Sequence, residues 1–291
     1  MTPAAGIAPD RPGEPIGIAA GGGILPRIVV DAALRGGWTP HVLSIADGID
    51  AEWSGHPARR MAWGQLGDGL RWLGAAGVRK LVLCGTVSVR PDFRSILPTL
   101  HTLLMLRQIF AVIRGGDDNL LRAATKTFEA RGFQVVAVQA IAPELVAAEG
   151  TIAGPPLQKD DEAAISRGFA AARALGQLDI GQAAVASRDR VIALEGIEGT
   201  REMLARVADL RARGRVGRHE RCVLVKCRKP AQDDRFDLPS IGASTLDEAA
   251  GAGLVGIALS AGHSLLLGID DIARGARAKG IFVVGRRDDR P

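Results

Sequence analysis

The stretch of sequence that decides the fold is Ile16-Gly17-Ile18-Ala19-Ala20-Gly21-Gly22-Gly23-Ile24-Leu25-Pro26, close to the beginning of the chain. Its first residues form an apolar run typical of a buried strand, the three glycines predict a tight turn, and Pro26 suits the first turn of a helix. Glycines let the backbone approach an anion, and the free N–H groups of a helix N-terminus favour a phosphate. We therefore take Gly22 and Gly23 as candidate contacts to a phosphate-bearing ligand.

The same alternation of elements continues through the N-terminal half of the chain. Short apolar runs predict further strands at 41–45, 80–83 and 134–138, and segments with helical periodicity lie at 26–34, 66–76, 97–113 and 118–131. Strands that alternate with helices in this way are typical of βαβ units on a parallel sheet. The sequence thus predicts a Rossmann-like α/β domain at 16–140, preceded by a flexible tail at 1–15.

The C-terminal half has a different organisation. Residues 141–159 are rich in proline and glycine and keep no sustained period, so they are interpreted as a linker. Beyond them, helical segments at 160–175, 200–213 and 270–279 are interspersed with apolar runs, two of which flank a polar turn as in a hairpin. The sequence therefore predicts a mixed α/β catalytic domain at 160–291.

Composition excludes several classes of protein. The chain has 291 residues, of which 47% are hydrophobic and 24% charged, which is unlike disordered or fibrous proteins. The net charge of +5 comes from scattered basic residues, and aromatic residues make up only 4% with no tyrosine, so nucleic acid is not an expected partner. The longest apolar run, at 253–269, is interrupted by polar residues and is shorter than the roughly 20 residues of a membrane span. Three cysteines cannot all pair, which favours buried thiols in a reducing cytoplasm.

A second loop follows the strand predicted at 80–83 and has the sequence Gly-Thr-Val-Ser-Val-Arg-Pro-Asp-Phe. Because parallel strands end at a common edge of the sheet, we expect this loop to lie beside the glycine turn. Its candidate ligand contacts are Thr86, Val87 and Arg90, whose guanidinium can clamp a phosphate. The alternative is that Arg90 only pairs with Asp92 at the surface.

An acid-rich segment at 226–242 is the best catalytic candidate. It places Lys226 and the carboxylates of Asp233, Asp234 and Asp237 close together in sequence after an apolar strand. Oxygen ligands of this kind suit Mg²⁺, which binds one or two carboxylates together with substrate phosphates. A solvated surface loop is the alternative, but such a loop has little need of the apolar residues that surround Asp237.

Three further polar stretches lie at the boundaries of predicted elements. Asp117 and Asp118 precede a predicted helix, where capping is the simpler explanation. Gln182 precedes a strand, and Glu198 and Thr200 precede a helix, where polar groups can reach a cleft but Thr200 equally suits an N-cap. The residues by themselves leave both interpretations open.

Taken in order, several motifs resemble one family of enzymes. They are Ala20-Gly-Gly-Gly-Ile-Leu-Pro26, Arg90-Pro-Asp-Phe93, Gly116-Asp-Asp118, Asp179-Ile-Gly-Gln182, Glu198-Gly-Thr200 and Gln232-Asp-Asp-Arg-Phe-Asp-Leu-Pro239. The chain resembles the UDP-2,3-diacylglucosamine pyrophosphatases of lipid A biosynthesis that are unrelated to calcineurin-like phosphoesterases. The resemblance implies Mg²⁺-dependent hydrolysis of UDP-2,3-diacylglucosamine to UMP and 2,3-diacylglucosamine 1-phosphate (lipid X).

The resemblance also assigns roles to residues. It implies that Asp237 is critical. From the charged segment itself we add Asp234 and Lys226 to the catalytic set, and we take Asp237 and Asp233 as metal ligands. The substrate contacts that the resemblance implies are Gly22, Gly23, Thr86, Val87, Arg90, Asp117, Gln182, Glu198 and Thr200. The enzyme is expected in the cytoplasm, with room for transient contact with the inner-membrane surface and for a homodimer.

Two other functions are compatible with the residues. An NAD(P)-dependent oxidoreductase would use Gly21–Gly23 and place Asp47 on a ribose, although its fingerprint asks for a glycine where Pro26 stands. A nucleotide- or lipid-binding protein without turnover would use the same loops for binding alone.

Overall fold

A computed structural model describes residues 6–87, 98–103, 125–229, 233–235 and 237–287. The chain forms two compact units, the first made of Met1–Glu144 with Asp233–Asp237, and the second of Leu145–Gln232 with Leu238–Pro291. Each unit contains its own sheet, parallel in the first and mixed in the second, which confirms the predicted α/β fold class.

The first unit is built on a five-stranded sheet in the order β3-β2-β1-β4-β5, and each neighbouring pair of strands is parallel. Its strands are β1 (Pro15–Ala20), β2 (Thr39–Ile45), β3 (Ala58–Met61), β4 (Lys80–Cys84) and β5 (Gln134–Val136). With β1 between β2 and β4, the chain direction across the sheet reverses beside β1. Doubly wound sheets bind ligands at this reversal, outside the carboxyl ends of the strands.

Helices cover this sheet and give it a buried apolar centre. They are α1 (Leu25–Arg35), α2 (Leu66–Ala75), α3 (Leu100–Leu103) and α4 (Val138–Ile141), and residues 125–129 are also helical. Ile16 and Ile18 of β1 are fully buried, as is Leu73 of α2. Each such side chain contributes roughly 1.5–3 kcal/mol by leaving water, which explains why β1 is an almost continuous apolar run.

The second unit is built on a six-stranded sheet in the order β6-β13-β11-β9-β7-β8, with a separate parallel pair of strands, β10 and β12. The strands are β6 (Gly150–Ala153), β7 (Ala183–Ser187), β8 (Val191–Leu194), β9 (Cys222–Lys226), β10 (Ser240–Gly242), β11 (Gly256–Ser260), β12 (Leu265–Leu267) and β13 (Phe282–Arg286). Strands β9, β11 and β13 are parallel, and antiparallel strands extend the sheet on both sides.

Four helices pack around the second sheet, namely α5 (Lys159–Gln177), α6 (Gly199–Ala212), α7 (Ala243–Gly251) and α8 (Ile269–Lys279). The fully buried Phe282 lies against Gly256, where a Cβ atom would come within 2.1 Å of the aromatic ring. Glycine is therefore required at 256, because the strand leaves no room for a side chain beside this ring.

The structure adds elements that the sequence did not predict. Strand β3 has three exposed residues and lies at the edge of its sheet, so Arg59 and Arg60 give it no apolar pattern. Strand β6 lies within 141–159, the stretch interpreted as a linker, and pairs with β13. Of the helices predicted at 97–113 and 118–131, residues 104–124 lie outside the described residues. Among the described residues, no helix combines the length and the apolar character needed to cross a bilayer.

One buried ion pair anchors α5 in the second unit. The carboxylate of Asp161 is fully buried and accepts hydrogen bonds from Arg221 Nε and Nη2, both at 2.8 Å. It also accepts the main-chain N–H of Gln158 at 2.7 Å, which satisfies a free donor at the helix N-terminus. Because the carboxylate has no access to water, these three donors must compensate the free-energy cost of burying its charge.

Replacing Asp161 by asparagine should destabilise the protein by about 1.5–3 kcal/mol, because the fully buried side chain at 161 loses its charge-assisted hydrogen bonds from Arg221, which is itself 30% exposed. The free energy of unfolding in denaturant measures this loss. The control is Asp160→Asn, since the Asp160 side chain is 48% exposed and pairs with Arg188 at the surface. That change should cost less than about 1 kcal/mol, and equal losses in the two variants would contradict a special role for the Asp161 pair.

Candidate functional site

The loops that follow β1 and β4 are joined by main-chain hydrogen bonds. The N–H of Gly22 donates to the carbonyl of Thr86, and the N–H of Thr86 donates back to the carbonyl of Gly22, each at 2.9 Å. The N–H of Gly21 also donates to the carbonyl of Cys84 at 2.8 Å. The structure thus brings Gly22 and Thr86, both predicted site residues, into direct contact beside the point where the strand order reverses.

Glycine is needed in this turn for two different reasons. A Cβ atom at Gly22 would lie 2.7 Å from Cβ of Asp47 and 2.8 Å from Oγ1 of Thr86, so the loops could not approach as they do. Gly23 has a φ of +86°, a left-handed conformation that other residues rarely adopt, and no atom lies within 4 Å of a Cβ built there. The main chain at Gly23 is therefore open to a ligand.

The loop after β2 joins the same cluster. Asp47 lies in a short 3₁₀ turn at Ala46–Gly48, and its Oδ2 accepts a hydrogen bond from Thr86 Oγ1 at 3.3 Å. A Cβ atom at Gly48 would come within 2.2 Å of the carbonyl oxygen of Gly21, so this loop also packs closely on the glycine turn. Three loops at the carboxyl edge of the sheet thus form one structure.

The N-terminus of α1 follows the glycine turn without an acidic partner. Helix α1 begins at Leu25, its N-cap residue Ile24 makes no side-chain capping bond, and its first turn contains no Asp or Glu. Ile24 is 59% exposed, and Val87 in the neighbouring loop is 42% exposed. Pro26 has no N–H, and the N–H of Arg27 donates to the carbonyl of Ile24 at 3.1 Å. It is therefore mainly the uncompensated helix dipole, in an accessible position, that favours an anion such as a phosphate. The predicted contacts Arg90 and Asp117 lie outside the described residues.

The acidic segment Asp233–Asp237 belongs to the first unit, although the sequence placed it in the second domain. The contacts that hold it come from Arg235, which donates to Glu129 through Nη1 and to Asp233 through Nη2 and Nε, at 2.8–3.0 Å. The carbonyl of Arg235 accepts the N–H of Val138 at 3.2 Å. Hydrogen bonds from the guanidinium to Asp233 and Glu129 raise the pKa of Arg235.

The three aspartates of this segment have different surroundings. Both carboxylate oxygens of Asp233 accept hydrogen bonds from Arg235, and the main-chain carbonyl of Asp234 accepts one from Gln139 Nε2 at 2.8 Å. The carboxylate of Asp237 is half-buried and makes no hydrogen bond or ion pair with any other described residue. Asp237 is therefore well placed for contact with an added group.

These surroundings decide which kind of metal site is compatible with the residues. Within the described ranges, no group of three or more His, Cys, Asp or Glu side chains is arranged to hold a metal ion. Asp233 is also occupied by Arg235, so a cage built from protein ligands alone does not fit. Mg²⁺ commonly takes one carboxylate and completes its shell with waters and substrate phosphates, and Asp237 can supply that carboxylate.

The second unit contains a separate cluster of buried polar groups around Lys226. This lysine ends β9, is only 8% exposed, and donates from Nζ to the carbonyl of Ser240 at 3.1 Å. Burial lowers its pKa, while the charges of Glu195 and Glu248 act in the opposite direction. A buried amino group with nearby carboxylates is a common feature of functional sites.

Glu195 is the residue of this cluster that the sequence analysis did not select. Its carboxylate is 7% exposed, and it accepts the N–H of Gln182 on Oε2 at 2.9 Å and the hydroxyl of Thr200 on Oε1 at 2.6 Å. Glu195 thus connects Gln182 and Thr200, two residues that the sequence predicts as substrate contacts. Its place three residues before Glu198 is the only signal in the sequence, because burial of a carboxylate depends on the fold.

The predicted residue Glu198 has a different partner. Its Oε1 forms an ion pair with Arg206 Nη1 at 2.9 Å on helix α6. Hydrogen bonds from main-chain N–H groups, together with the Arg206 guanidinium, lower the pKa of Glu198. Its carboxylate is therefore held in the charged form at the N-terminus of α6.

Comparison with known proteins gives matches along nearly the whole chain. Residues 15–145 match the family model of the LpxI N-terminal domain, and residues 148–284 match that of the LpxI C-terminal domain. A protein of Caulobacter vibrioides named UDP-2,3-diacylglucosamine pyrophosphatase LpxI is 36% identical over 276 residues, which cover 93% of this chain and 96% of that protein. The gap between the two family matches lies close to the change of unit after Glu144.

Replacing Gly22 by alanine should destabilise the protein by about 1–3 kcal/mol, because the new methyl group forces the loops of Asp47 and Thr86 apart. Thermal and denaturant unfolding measure the change. The control is Gly74→Ala in α2, where a Cβ atom would meet only Phe133, at 4.0 Å. That variant should be stabilised by up to about 1 kcal/mol, and a Gly22→Ala protein as stable as wild type would contradict the close approach.

Proposed function

Because the chain belongs to the LpxI family, we propose that it hydrolyses the pyrophosphate of UDP-2,3-diacylglucosamine to UMP and 2,3-diacylglucosamine 1-phosphate in lipid A biosynthesis. The structural observation that carries the proposal is the Gly22–Thr86 bridge at the carboxyl edge of the parallel sheet. It sets an open glycine and an uncapped helix N-terminus where a diphosphate can be bound.

The substrate contacts in this proposal come from both ends of the chain. Gly22, Gly23, Thr86 and Val87 bind the nucleotide diphosphate, since their loops surround the open N-terminus of α1. Gln182, Glu198 and Thr200 bind the substrate in the second unit, where Glu195 organises two of them. The roles of Arg90 and Asp117 stay predictions from the resemblance, because both residues lie outside the described part of the chain.

The chemical step requires a water oxygen to bond to phosphorus while the bond from phosphorus to the bridging oxygen breaks. Enzymes of this type act mainly by positioning the reactants and neutralising charge on the phosphoryl oxygens. We assign Asp237 to orient the water or to bind a metal ion, since its carboxylate has no other partner among the described residues. Lys226 stays in the proposed catalytic set as a buried amino group, and Asp234 supports the catalytic segment through its main chain.

Mg²⁺ is the proposed cofactor. Asp237 would hold the ion together with the substrate phosphates, and Asp233 could join only if it left its ion pair with Arg235. When bound, the ion would neutralise negative charge on the diphosphate. A cytoplasmic location, which the three cysteines favour, also stays a prediction, as do transient contact with the inner-membrane surface and a homodimer.

The two alternative functions have less support. An oxidoreductase would use a fingerprint that asks for a glycine where Pro26 stands, and neither family match names such an enzyme. A binding protein without turnover would still bind the sugar nucleotide and would differ only in releasing no UMP. The distinction between an enzyme and a carrier is therefore a question for an assay.

Incubation with UDP-2,3-diacylglucosamine and Mg²⁺ should release UMP, measured by chromatography. Asp237→Asn should keep its fold and substrate binding but lose turnover by a factor on the order of 10³ or more, because an amide can neither hold a cation nor accept a proton as a carboxylate does. The control is Asp50→Asn in the first unit, whose side chain is 88% exposed. Normal turnover of Asp237→Asn would remove this residue from the mechanism, and binding without UMP release by the wild type would favour a carrier.

Metal dependence has its own test. Excess EDTA should abolish UMP release, and added Mg²⁺ should restore it, because Asp237 is proposed to hold the ion that would neutralise negative charge on the diphosphate. Calorimetric titration of Mg²⁺ with and without bound substrate should show tighter binding when the substrate is present. Undiminished hydrolysis after chelation would contradict the assignment of Asp237 as a metal ligand.

A further inference from the structure

The hydroxyl of Thr200 donates its hydrogen in a fixed direction in this structure. A threonine hydroxyl carries one hydrogen and two lone pairs. Thr200 Oγ1 donates its hydrogen to Glu195 Oε1 at 2.6 Å, within the range of short hydrogen bonds from a hydroxyl to a charged oxygen. The hydrogen is thus committed to the carboxylate, and only lone pairs are left for a ligand.

The carboxylate that fixes the direction of this hydrogen bond is itself held in place by other contacts. Glu195 is 7% exposed, and its second oxygen accepts the N–H of Gln182 at 2.9 Å. The main chain on both sides is also constrained, because the N–H of Glu195 donates to the carbonyl of Ala183 at 3.0 Å. Its carbonyl oxygen lies so close to Gly181 that a Cβ atom there would be 2.4 Å away. These contacts fix the main chain of Glu195, and the hydrogen bond from Gln182 favours the side-chain position that faces Thr200.

From this arrangement we infer that Glu195 is a positioning residue which makes Thr200 a hydrogen-bond acceptor, so that Thr200 binds a hydroxyl or N–H group of the sugar nucleotide and not a phosphate oxygen. The inference rests on the proposed function. A phosphate oxygen at Thr200 would face lone pairs and, behind them, a negative charge, whereas a donor would complete the hydrogen-bonding of the hydroxyl. UDP-2,3-diacylglucosamine offers such donors in its sugar hydroxyls, its acyl amide and its uracil.

The charge of Glu195 has a second neighbour, Lys226. The experiment must therefore distinguish an effect through Lys226 from an effect through Thr200. Lys226 is buried nearby and feels the charge of Glu195. If Glu195 acted mainly through Lys226, its loss would lower kcat and change the pH profile of turnover. If it acts through Thr200, as inferred, its loss weakens binding and leaves the chemical step nearly unchanged.

Glu195→Gln is the decisive variant because it keeps the shape of the side chain. The glutamine can still accept the N–H of Gln182 through its oxygen, but its amide then donates to Thr200 Oγ1 and turns the threonine hydrogen outward. The KM and the Kd for UDP-2,3-diacylglucosamine should rise by about 10-fold, since the amide takes one lone pair of Thr200 Oγ1 and the outward hydrogen of the threonine competes with the ligand donor. The value of kcat should stay within about 3-fold of wild type, because the reacting atoms are not touched.

A double-mutant cycle tests whether the effect passes through Thr200. Thr200→Val alone should also raise KM, and adding Glu195→Gln to it should change KM by less than about 2-fold, because the hydroxyl that Glu195 orients is gone. The matched control is Glu202→Gln on the same helix, an exposed carboxylate, which should behave as wild type. Thermal unfolding of each variant confirms that the protein is folded.

Each outcome decides the question. A raised KM and Kd with non-additive effects supports the inference. Unchanged KM with a lowered kcat, or additive effects of the two substitutions, overturns it while leaving the proposed hydrolysis intact. If the wild type binds the substrate but releases no UMP, the proposed hydrolysis fails, and the same cycle measured by Kd still decides the role of Glu195.

Discussion

The pair of main-chain hydrogen bonds between Gly22 and Thr86 is the constraint on which the first unit depends at its functional edge. These bonds require two loops to approach more closely than any side chain at Gly22 would allow. The same contact places Thr86 beside Asp47, and the helix that follows the glycine turn begins without a side-chain cap because its N-cap residue is Ile24. A packing requirement and a candidate anion-binding position thus meet in one feature of the backbone, because glycine permits both close approach and an accessible main chain.

Partners determine what a carboxylate does in this protein. Asp161 is satisfied by Arg221 and a main-chain donor, which makes it part of the framework of the second unit. Asp233 is engaged by Arg235 in a similar way, whereas the carboxylate of Asp237, a few residues away, has no partner among the described residues. Glu195 lies between these cases, since it is buried and satisfied, but one of its donors is a side chain with lone pairs to offer. A ligand contact is therefore expected where a carboxylate lacks a partner among the described residues, or where the side chain that donates to it can still accept a hydrogen bond.

The predicted and the observed strands agree best where the sequence contains a run of apolar residues. Strands β1, β2 and β4 were predicted because buried parallel strands need nearly continuous hydrophobic residues. Strand β3 was missed because it is an exposed edge strand, and β6 because an edge strand in a glycine- and proline-rich stretch has no such pattern. The glycine turn and the Thr86 loop were predicted to meet, since parallel strands end at one edge, and the Gly22–Thr86 bridge confirms this. The roles of these residues in catalysis stay predictions.

By itself, the sequence determined the α/β class, the glycine turn and the family, because periodicity, glycine positions and motifs are local properties of the chain. Only the tertiary structure decided that Asp233 is paired with Arg235, that the segment around Asp237 belongs to the first unit, and that Glu195 joins Gln182 to Thr200. These contacts connect residues through the packing of separate elements, and the burial that gives a charge its partner is absent from any linear pattern. The sequence shows that a residue is an aspartate or a glutamate. Its surroundings in the fold determine whether its carboxylate stabilises the structure or contacts a ligand.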